Sequence, residues 1–420
     1  MVKQILNEVL PEARLEIPPG TAAHCRRVAA WSEELARSFR CTSAEVATAT
    51  DAALMHHQPE LVRGEAFRRL AEDLGIDLDS IPGLDYANVS ALSEAVLSAL
   101  HSRSGTHTDS SLRLAAIIDS ANSLDEQLEF APYEDNGIED VPGASPAHPA
   151  RLTEVLKRLQ RATAKDLPAV LNRLPVYPAT AMRLYALLNE DVGVAALERV
   201  ANTDQVIAGT LIKAANSVRY SPLQPIRTVS QAIGYVGTTD AQRILLATSV
   251  KTLYQTPRLR RLWQHALEAA QVAEKIAALA GGIAPGEAFL LGLLHDVGKL
   301  TITLLPHDVN ESLERLSARG CQISTAEFVL CGFDHAHAGA ETLKHWNFPE
   351  ELVTAVHYHH QPEKTDSRMA AVLYLTEFWT DAEEDLPSNA RLKRALAMAE
   401  LSEETFETAR IELNDAFNLL

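Results

Sequence analysis

Apolar residues recur along most of this chain at the intervals of three and four positions that are typical of an amphipathic α-helix. Residues 24–39 place four apolar side chains on one helical face: Val28, Trp31, Leu35 and Phe39. Residues 263–280 and 287–300 show a similar pattern, and their alanines and leucines favour helix. Alternating patterns typical of strands are scarce. The sequence therefore predicts an all-α fold.

One stretch interrupts the helical pattern. Residues 134–150 contain three prolines, two glycines and several acidic residues, and they show no apolar period. We predict that they link an N-terminal helical domain, residues 1–133, to a larger C-terminal domain, residues 151–420. The C-terminal domain is predicted to comprise a helical subdomain at 168–255, a histidine-rich subdomain at 256–380 and terminal helices at 381–420.

Composition narrows the class of protein. The chain has 420 residues and a net charge of −18, with 38 basic against 56 acidic side chains, which disfavours direct binding to nucleic acid or to anionic membranes. No apolar run reaches the roughly 18 residues of a membrane span, and the N-terminus does not resemble a signal peptide. The cysteines form no CxxC pair, which indicates reduced thiols. We therefore expect a cytoplasmic protein without membrane segments.

The candidate chemistry lies in the last third of the chain, where His265, His295-Asp296, His335 and His359-His360 follow one another. Histidine and aspartate are ligands of first-row metals. The His-Asp pair ends an apolar run, which puts two ligands at the mouth of a buried helix. The other histidines recur at about the spacing of a helix-turn-helix, so several helices could converge on one point. This pattern predicts a metal-centred pocket.

Residues 168–362 resemble the HDOD family, the HD-related output domain of bacterial signalling proteins. The match is carried by LPVYPATAMRLYALLNE (174–190), NTDQVIAGTLIKAANSVRYS (202–221), TVSQAIGYVG (228–237), WQHALEAAQVAEKIA (263–277), LLGLLHDVGKL (290–300) and FDHAHAGAETLKHWNFPEELVTAVHYHHQP (333–362). The resemblance implies an HD-superfamily helical bundle, related to the HD phosphohydrolases and found in signal transduction. Most family members are thought to be non-catalytic regulatory modules.

The resemblance also implies a ligand set for one or two divalent metals, which could be Mn, Fe, Co, Ni or Zn. The first metal would be held by His265, His295 and Asp296, with Glu377 where the family has an aspartate, and the second by His335, His359 and His360. Lys299, one turn after His295, would hold a substrate phosphate or stabilise developing charge, so Asp296 and Lys299 are the candidate catalytic residues.

The N-terminal half resembles a second, diverged HD or HD-GYP-like domain. Its matching stretches are HCRRVAAWSEELAR (24–37), DAALMHHQPE (51–60), AVLSALHSR (95–103) and LAAIIDSANSLDEQLEFAPYE (114–134). Its candidate metal set is His24, His56, His57 and Asp119, with His101 as a further neighbour. His57 stands where the family has the bridging aspartate, which argues against a two-metal mechanism. A degenerate domain that dimerises or senses a ligand is the favoured interpretation.

Two classes of function stay open. An intact His-Asp-x-Gly-Lys motif favours a metal-dependent phosphohydrolase or phosphodiesterase that acts on a nucleotide or cyclic (di)nucleotide. Glu377, the missing GYP loop and Arg261, which stands where a third metal would need an acid, favour a non-catalytic output module. We expect the module, a signalling protein that binds a protein partner or a nucleotide and can form a homodimer. A third interpretation is a scaffold without metal.

Overall fold

The structure is a computed structural model, and it describes residues 19–55, 117–118, 120–122, 124–125, 155–188, 192–256, 259–380 and 389–413. Regular secondary structure in these residues is entirely helical, which confirms the predicted all-α fold. The α-helices, in chain order, are α1 (Pro19–Ser38), α2 (Ser43–Met55), α3 (Leu167–Leu171), α4 (Ala179–Tyr185), α5 (Val194–Ala201), α6 (Gln205–Ala215), α7 (Val229–Val236), α8 (Thr238–Lys251), α9 (Arg260–Ala280), α10 (Pro285–Leu294), α11 (Val297–Thr303), α12 (His307–Ser317), α13 (Ile323–Cys331), α14 (His335–His345), α15 (Glu350–His357), α16 (Arg368–Thr380), α17 (Asn389–Ala399) and α18 (Glu403–Leu413).

The described residues fall into two compact units. Residues 155–163 and 306–332, which include α12 and α13, group with the N-terminal residues, whereas residues 164–305 and 333–413 form the other unit. The predicted boundaries at 133 and 151 stay a prediction, and the predicted linker lies outside the described residues. Within the described part of the chain, no helix is long and apolar enough to cross a membrane.

The N-terminal unit is organised by α1. Val28, Trp31 and Leu35 are fully buried, as the sequence pattern predicts, whereas Phe39 lies beyond the end of the helix and is 37% exposed. The helix also buries Glu34, whose carboxylate accepts hydrogen bonds from the guanidinium groups of Arg161 and Arg315 at 2.8 Å each. A buried carboxylate is tolerated only with such partners. This ion-pair network holds α12 and residues 155–163 against α1.

The unit formed by residues 164–305 and 333–413 is the larger of the two. In this larger unit, an asparagine fixes the loop after α6. The side-chain amide of Asn216 donates to the carbonyl oxygens of Ile212 (2.8 Å) and Ile226 (2.9 Å), and its oxygen accepts from the backbone nitrogen of Ile226 (2.9 Å). The sequence predicts that Asn216 terminates the helix by side-chain bonds to the backbone. The structure shows these bonds, and they also tie the helix end to the far side of the loop.

The helix predicted over residues 287–300 is in fact two helices. The chain forms α10, turns at His295 and Asp296, and begins again as α11, because Asp296 adopts φ −94° and ψ 11° instead of helical angles. Residues 288–298 are buried on all sides, so the segment is a core element and not an amphipathic surface helix. The turn directs the two candidate ligands away from the helix axis.

Two glycines set the distance between α10, α11 and their neighbours. A Cβ at Gly292 would overlap the backbone of Ala270 in α9, and a Cβ at Gly298 would overlap the backbone carbonyl oxygen of His335 at the start of α14. Each helix pair therefore packs backbone against backbone. The close crossing of α11 and α14 brings His335 next to the turn at His295 and Asp296.

An aromatic cluster joins the early part of this unit to its histidine-rich part. Tyr177 packs against Trp346 and Phe348, with ring centroids 5.1 and 5.0 Å apart, and the indole nitrogen of Trp346 donates to the carbonyl oxygen of Pro175 at 3.2 Å. All three rings are buried. They fix the turn after α14, on which the approach of α15 depends.

The glycine crossing can be tested directly. We expect Gly298→Ala to lower the free energy of unfolding by about 2 kcal/mol or more, because the added methyl forces backbone to move in a packed core. Gly209→Ala is the matched control, since a Cβ there meets nothing within 4 Å, and it should stabilise α6 by about 0.5–1 kcal/mol. Urea unfolding monitored by circular dichroism measures both. Equal stability of the two variants would contradict the proposed close crossing.

Candidate metal centre

The candidate ligands come from helix ends and from the interiors of two helices. His295 and Asp296 form the turn between α10 and α11, His335 is the first residue of α14, and His359 and His360 directly follow the end of α15. His265 and Glu377 project from within α9 and α16. Residues far apart in the chain thus reach a single location because five helical segments meet there.

The first group consists of His265, His295, Asp296 and Glu377. The Nε2 atoms of His265 and His295 are 3.2 Å apart, and they lie 3.6 and 3.5 Å from Oδ2 of Asp296. A point equidistant from these three atoms is about 2 Å from each, which matches the bond length from a first-row metal to nitrogen or oxygen.

Glu377 also reaches this group. Its Oε1 lies 2.5 Å from Nε2 of His295 and 3.3 Å from Nε2 of His265. The side chain of glutamate is one methylene longer than that of the aspartate found at this position in the family that the sequence resembles. The longer side chain places its carboxylate oxygen among the other donors.

The second group consists of His335, His359 and His360. The Nε2 atoms of His335 and His360 are 2.7 Å apart, and the ring of His359 lies against both, with centroids 5.5 and 4.0 Å away. Asp296 connects the two groups, since its Oδ2 faces the first group and its Oδ1 lies 3.3 Å from Nε2 of His335. Two neighbouring metals commonly share one carboxylate that lies between their two sets of donors, and Asp296 has this position.

The orientation of the rings fits metal binding. Nδ1 of His295 donates to the carbonyl oxygen of Gly292 at 2.9 Å, and Nδ1 of His359 donates to that of Val356 at 2.6 Å. These bonds turn Nε2 of each ring inward, as second-shell partners of metal ligands do. Among the described residues, two buried atoms of the cluster have no hydrogen-bond partner, Nε2 of His359 and Oδ1 of Asp296. Buried polar atoms without partners are costly, and a metal would satisfy both.

Burial and the neighbouring charges shift the pKa values of the ionisable side chains in the cluster. Burial alone lowers the pKa of His265, but its hydrogen bond to Glu377 and the charges of Glu377 and Asp296 raise that pKa to about 9. Burial raises the pKa of Asp296, but the charges of Lys299, His295 and His335 hold it well below its usual value. Burial lowers the pKa of His359 to about 4, with the charges of His295 and His335 acting in the same direction. Burial also raises the pKa of Glu377, but the charges and hydrogen bonds of His295 and His265 hold it well below its usual value, so two carboxylates stay ionised beside the neutral ring of His359.

The cluster has one open edge. His295 and Asp296 are each 1% exposed and His335 and His359 are fully buried, whereas the side chains of Lys299 and His265 are 28% and 22% exposed. Nζ of Lys299 donates to Oδ2 of Asp296 at 2.6 Å. The partly exposed ligands are His265 and Glu377 of the first group and His360 of the second, and a ligand from solvent would meet these residues and Lys299.

The predicted N-terminal set is only partly described. His56, His57, His101 and Asp119 lie outside the described residues. Nδ1 of His24 lies 2.7 Å from Oδ2 of Asp125, and its Nε2 lies 3.1 Å from the side-chain oxygen of Asn122. Arg27 donates to both oxygens of the buried Asp125. The guanidinium already neutralises this carboxylate, and metal binding by His24 stays a prediction.

Sequence reasoning did not identify Asp125 as the partner of His24. It lies six residues after Asp119, in the same stretch that resembles a late HD helix. The helical pattern alone does not say which acid in this stretch faces α1. Only the packing of residue 125 against α1 does so.

Comparison with known proteins finds a family match in the C-terminal part of the chain. The family model described as HDOD domain matches residues 174–362. A curated relative, an uncharacterized protein of Treponema pallidum (strain Nichols), is 23% identical over 210 residues, which are 48% of this chain and 41% of the relative. The chain thus matches less than half the length of that relative.

Two solved structures share the fold. An HDOD domain protein with unknown function from Geobacter sulfurreducens has 21% identity and a TM-score of 0.50, and covers 59% of this chain and 95% of its own. A protein from Marinobacter aquaeolei VT8, provisionally described as a signal transduction protein, has 22% identity and a TM-score of 0.51, and covers 62% of this chain and 61% of its own. At these identities the likeness shows the helical fold alone.

Glu377 provides a test of the first group. We expect Glu377→Asp to weaken divalent metal binding by about tenfold or more, because removing one methylene withdraws the carboxylate by more than the few tenths of an ångström that metal sites tolerate. Glu341→Asp is the matched control, since Glu341 pairs with Lys344 on the surface. Competition with a chromogenic chelator measures the affinities. Wild-type affinity in Glu377→Asp would remove Glu377 from the ligand set.

The raised pKa of His265 predicts a pH dependence of metal binding. Below about pH 9 its ring carries a proton that a metal must displace, so affinity should increase with rising pH and level off near pH 9. Displacement of one proton corresponds to about tenfold in affinity per pH unit. Calorimetric titration in buffers of different ionisation enthalpy counts the released protons. Equal affinity at pH 7 and pH 9, without proton release, would contradict this assignment.

Proposed function

We propose that this protein, which contains an HDOD domain at residues 174–362, is a bacterial signal-transduction protein whose HDOD domain binds divalent transition metal and acts as a regulatory output module. The observation that carries the proposal is the position of Asp296 between two groups of inward-facing donors. The donors are imidazole nitrogens and carboxylate oxygens, which suit manganese, iron, cobalt, nickel or zinc.

Metal binding would act through the helices that carry the ligands. The ligands of the first group belong to α9, the turn before α11 and α16, and those of the second to α14 and the end of α15. Cations bound in the two groups, with Asp296 between them, would link all of these elements. A ligand that binds only the correctly packed state stabilises that state by mass action. Metal occupancy would thereby bias the packing of the HDOD domain and the surface it offers to a signalling partner, a nucleotide or a second copy of the chain.

A regulatory role is favoured over turnover by the closure of the site. Four of the seven candidate ligands are buried, and those that are partly exposed are His265, Glu377 and His360. The sequence also lacks the GYP loop of the related phosphodiesterases and carries Arg261 where a third metal would need an acid.

A metal-dependent phosphohydrolase is the second candidate, and Lys299 is the observation that favours it. Its ammonium group is adjacent to Asp296 at the open edge, where it could bind the phosphoryl oxygens of a nucleotide. A bound divalent metal would supply an activated water and Lewis-acid stabilisation of the phosphoryl group. His295 and Asp296 would hold that metal, and Lys299 would orient the substrate.

Elemental analysis of protein purified without chelator tests the proposal. We expect about one or two transition metal ions per chain, and their loss in the double variant His295→Ala/Asp296→Ala. His307→Ala is the control, because this histidine is exposed and pairs only with a surface glutamate in the described structure. Wild-type protein without metal, even after incubation with each candidate ion, would refute metal binding.

Hydrolysis of nucleotides and cyclic dinucleotides by the metal-loaded protein separates the two candidates. Under the regulatory proposal no phosphate ester is turned over, while metal raises the melting temperature or changes the oligomeric state. Turnover that is lost in Asp296→Ala would instead establish the phosphohydrolase.

A further inference from the structure

Oδ2 of Asp296 is shared by two kinds of partner. It is the oxygen that faces the first group of candidate metal ligands, 3.5 Å from Nε2 of His295 and 3.6 Å from Nε2 of His265. It is also the oxygen to which Lys299 donates, at 2.6 Å. A lysine ammonium and a divalent metal are therefore both directed to one carboxylate oxygen.

Local structure enforces the contact with the lysine. Asp296 directly precedes α11 and Lys299 is the third residue of that helix, with the backbone nitrogen of Lys299 donating to the carbonyl oxygen of Asp296 at 2.9 Å. Residues three apart in a helical turn are neighbours. The ammonium group reaches Oδ2 across this single turn.

Asp296 and Lys299 differ in burial, and this difference would permit a metal to replace the ammonium group of Lys299 at the carboxylate of Asp296. Asp296 is 1% exposed, so its charge needs a counter-ion close by, because a buried carboxylate without one is strongly destabilising. The side chain of Lys299 is 28% exposed. A lysine at the edge of a site can keep its stem in place while its ammonium group turns to solvent.

We propose that Lys299 is a tethered counter-cation that competes with divalent metal for Asp296. The lysine neutralises Asp296 in the metal-free protein, and its ammonium group turns toward the open edge when the metal takes Oδ2. Lys299 therefore sets the metal affinity of the site and prevents the buried carboxylate from being left uncompensated. This inference rests on the metal binding proposed above and assigns its regulation.

Competition and a positioning role of Lys299 predict opposite effects of its removal on metal affinity. If Lys299 merely oriented Asp296 as a ligand, its removal would weaken metal binding. If it competes, Lys299→Met keeps the length of the side chain, removes the charge and tightens metal binding, while the metal-free variant becomes less stable than wild type. The signs of these two changes separate the roles.

Metal titration of wild type, Lys299→Met and Lys344→Met is the first test, with Zn²⁺ and Mn²⁺ as probes. Lys344 is the matched control, because it also pairs with an acid three residues earlier, Glu341 at 3.0 Å, but on the surface. We expect affinity about tenfold tighter in Lys299→Met, within the usual range of coupling between sites, and unchanged in Lys344→Met. Equal or weaker binding by Lys299→Met would overturn the inference while leaving the proposed metal binding intact.

Amine labelling of the wild-type protein is the second test and does not depend on the folding of a variant. Mass spectrometry would compare acetylation of Lys299 with and without Zn²⁺, with Lys344 as the internal reference. We expect severalfold greater labelling of Lys299 in the loaded protein. Unchanged or reduced labelling in protein that has bound Zn²⁺ would overturn the competition. If no variant or condition binds metal, the proposed function fails together with this inference.

Discussion

The arrangement of the larger unit depends on one buried charge, the carboxylate of Asp296. A carboxylate that is 1% exposed persists only where cations or hydrogen-bond donors surround it. Lys299 contacts one oxygen, and His335 lies near the other. The helix turn, the glycine crossing and the convergence of imidazoles all bring partners to this group. Its charge therefore links local backbone geometry to the candidate metal chemistry.

Packing makes that convergence possible. Imidazole rings extend only a few ångströms from the backbone, so helices must approach closely if rings from four segments are to meet. Gly298 allows α11 to contact the backbone of α14, and Gly292 does the same for α10 and α9. The hydrogen bonds from Nδ1 of His295 and His359 to backbone carbonyls then fix the rings. The core of the fold thus holds the candidate ligands in place.

The same features explain why a metal site can serve regulation. Because the candidate ligands are distributed over five helical segments, metal binding would stabilise the packing of those segments, which is how metal sites couple to folding. The exposed edge at Lys299 and His265 limits what can enter. A cluster built this way is suited to report whether a cation is present, and the tethered lysine would set the concentration at which it responds.

Much of the fold and the site could be predicted from the sequence. Helical periodicity predicted α9 and the buried face of α1, because apolar spacing directly encodes which side of a helix is covered. Six side chains were predicted to meet in one site: His265, His295, Asp296, His335, His359 and His360. The structure places them in two neighbouring groups with Asp296 between them, and their role as metal ligands stays a prediction. Asn216 was predicted to terminate α6, since short polar side chains bond to nearby backbone.

Other features depend on tertiary contacts. The sequence placed His295 and Asp296 at the end of an apolar run but predicted one helix over residues 287–300, whereas the structure has a turn there, beside the close approach of neighbouring backbones. Neither the reach of Glu377 into the first group nor the pairing of His24 with Asp125 could be read from spacing. The grouping of residues 306–332 with the N-terminal unit follows from long-range packing.

The sequence by itself determined which residues can form helices and bind metal, since those properties belong to local side-chain chemistry. Only the tertiary structure decided how far apart the donor atoms lie and which charges face one another, because both are set by the packing of helices distant in the chain.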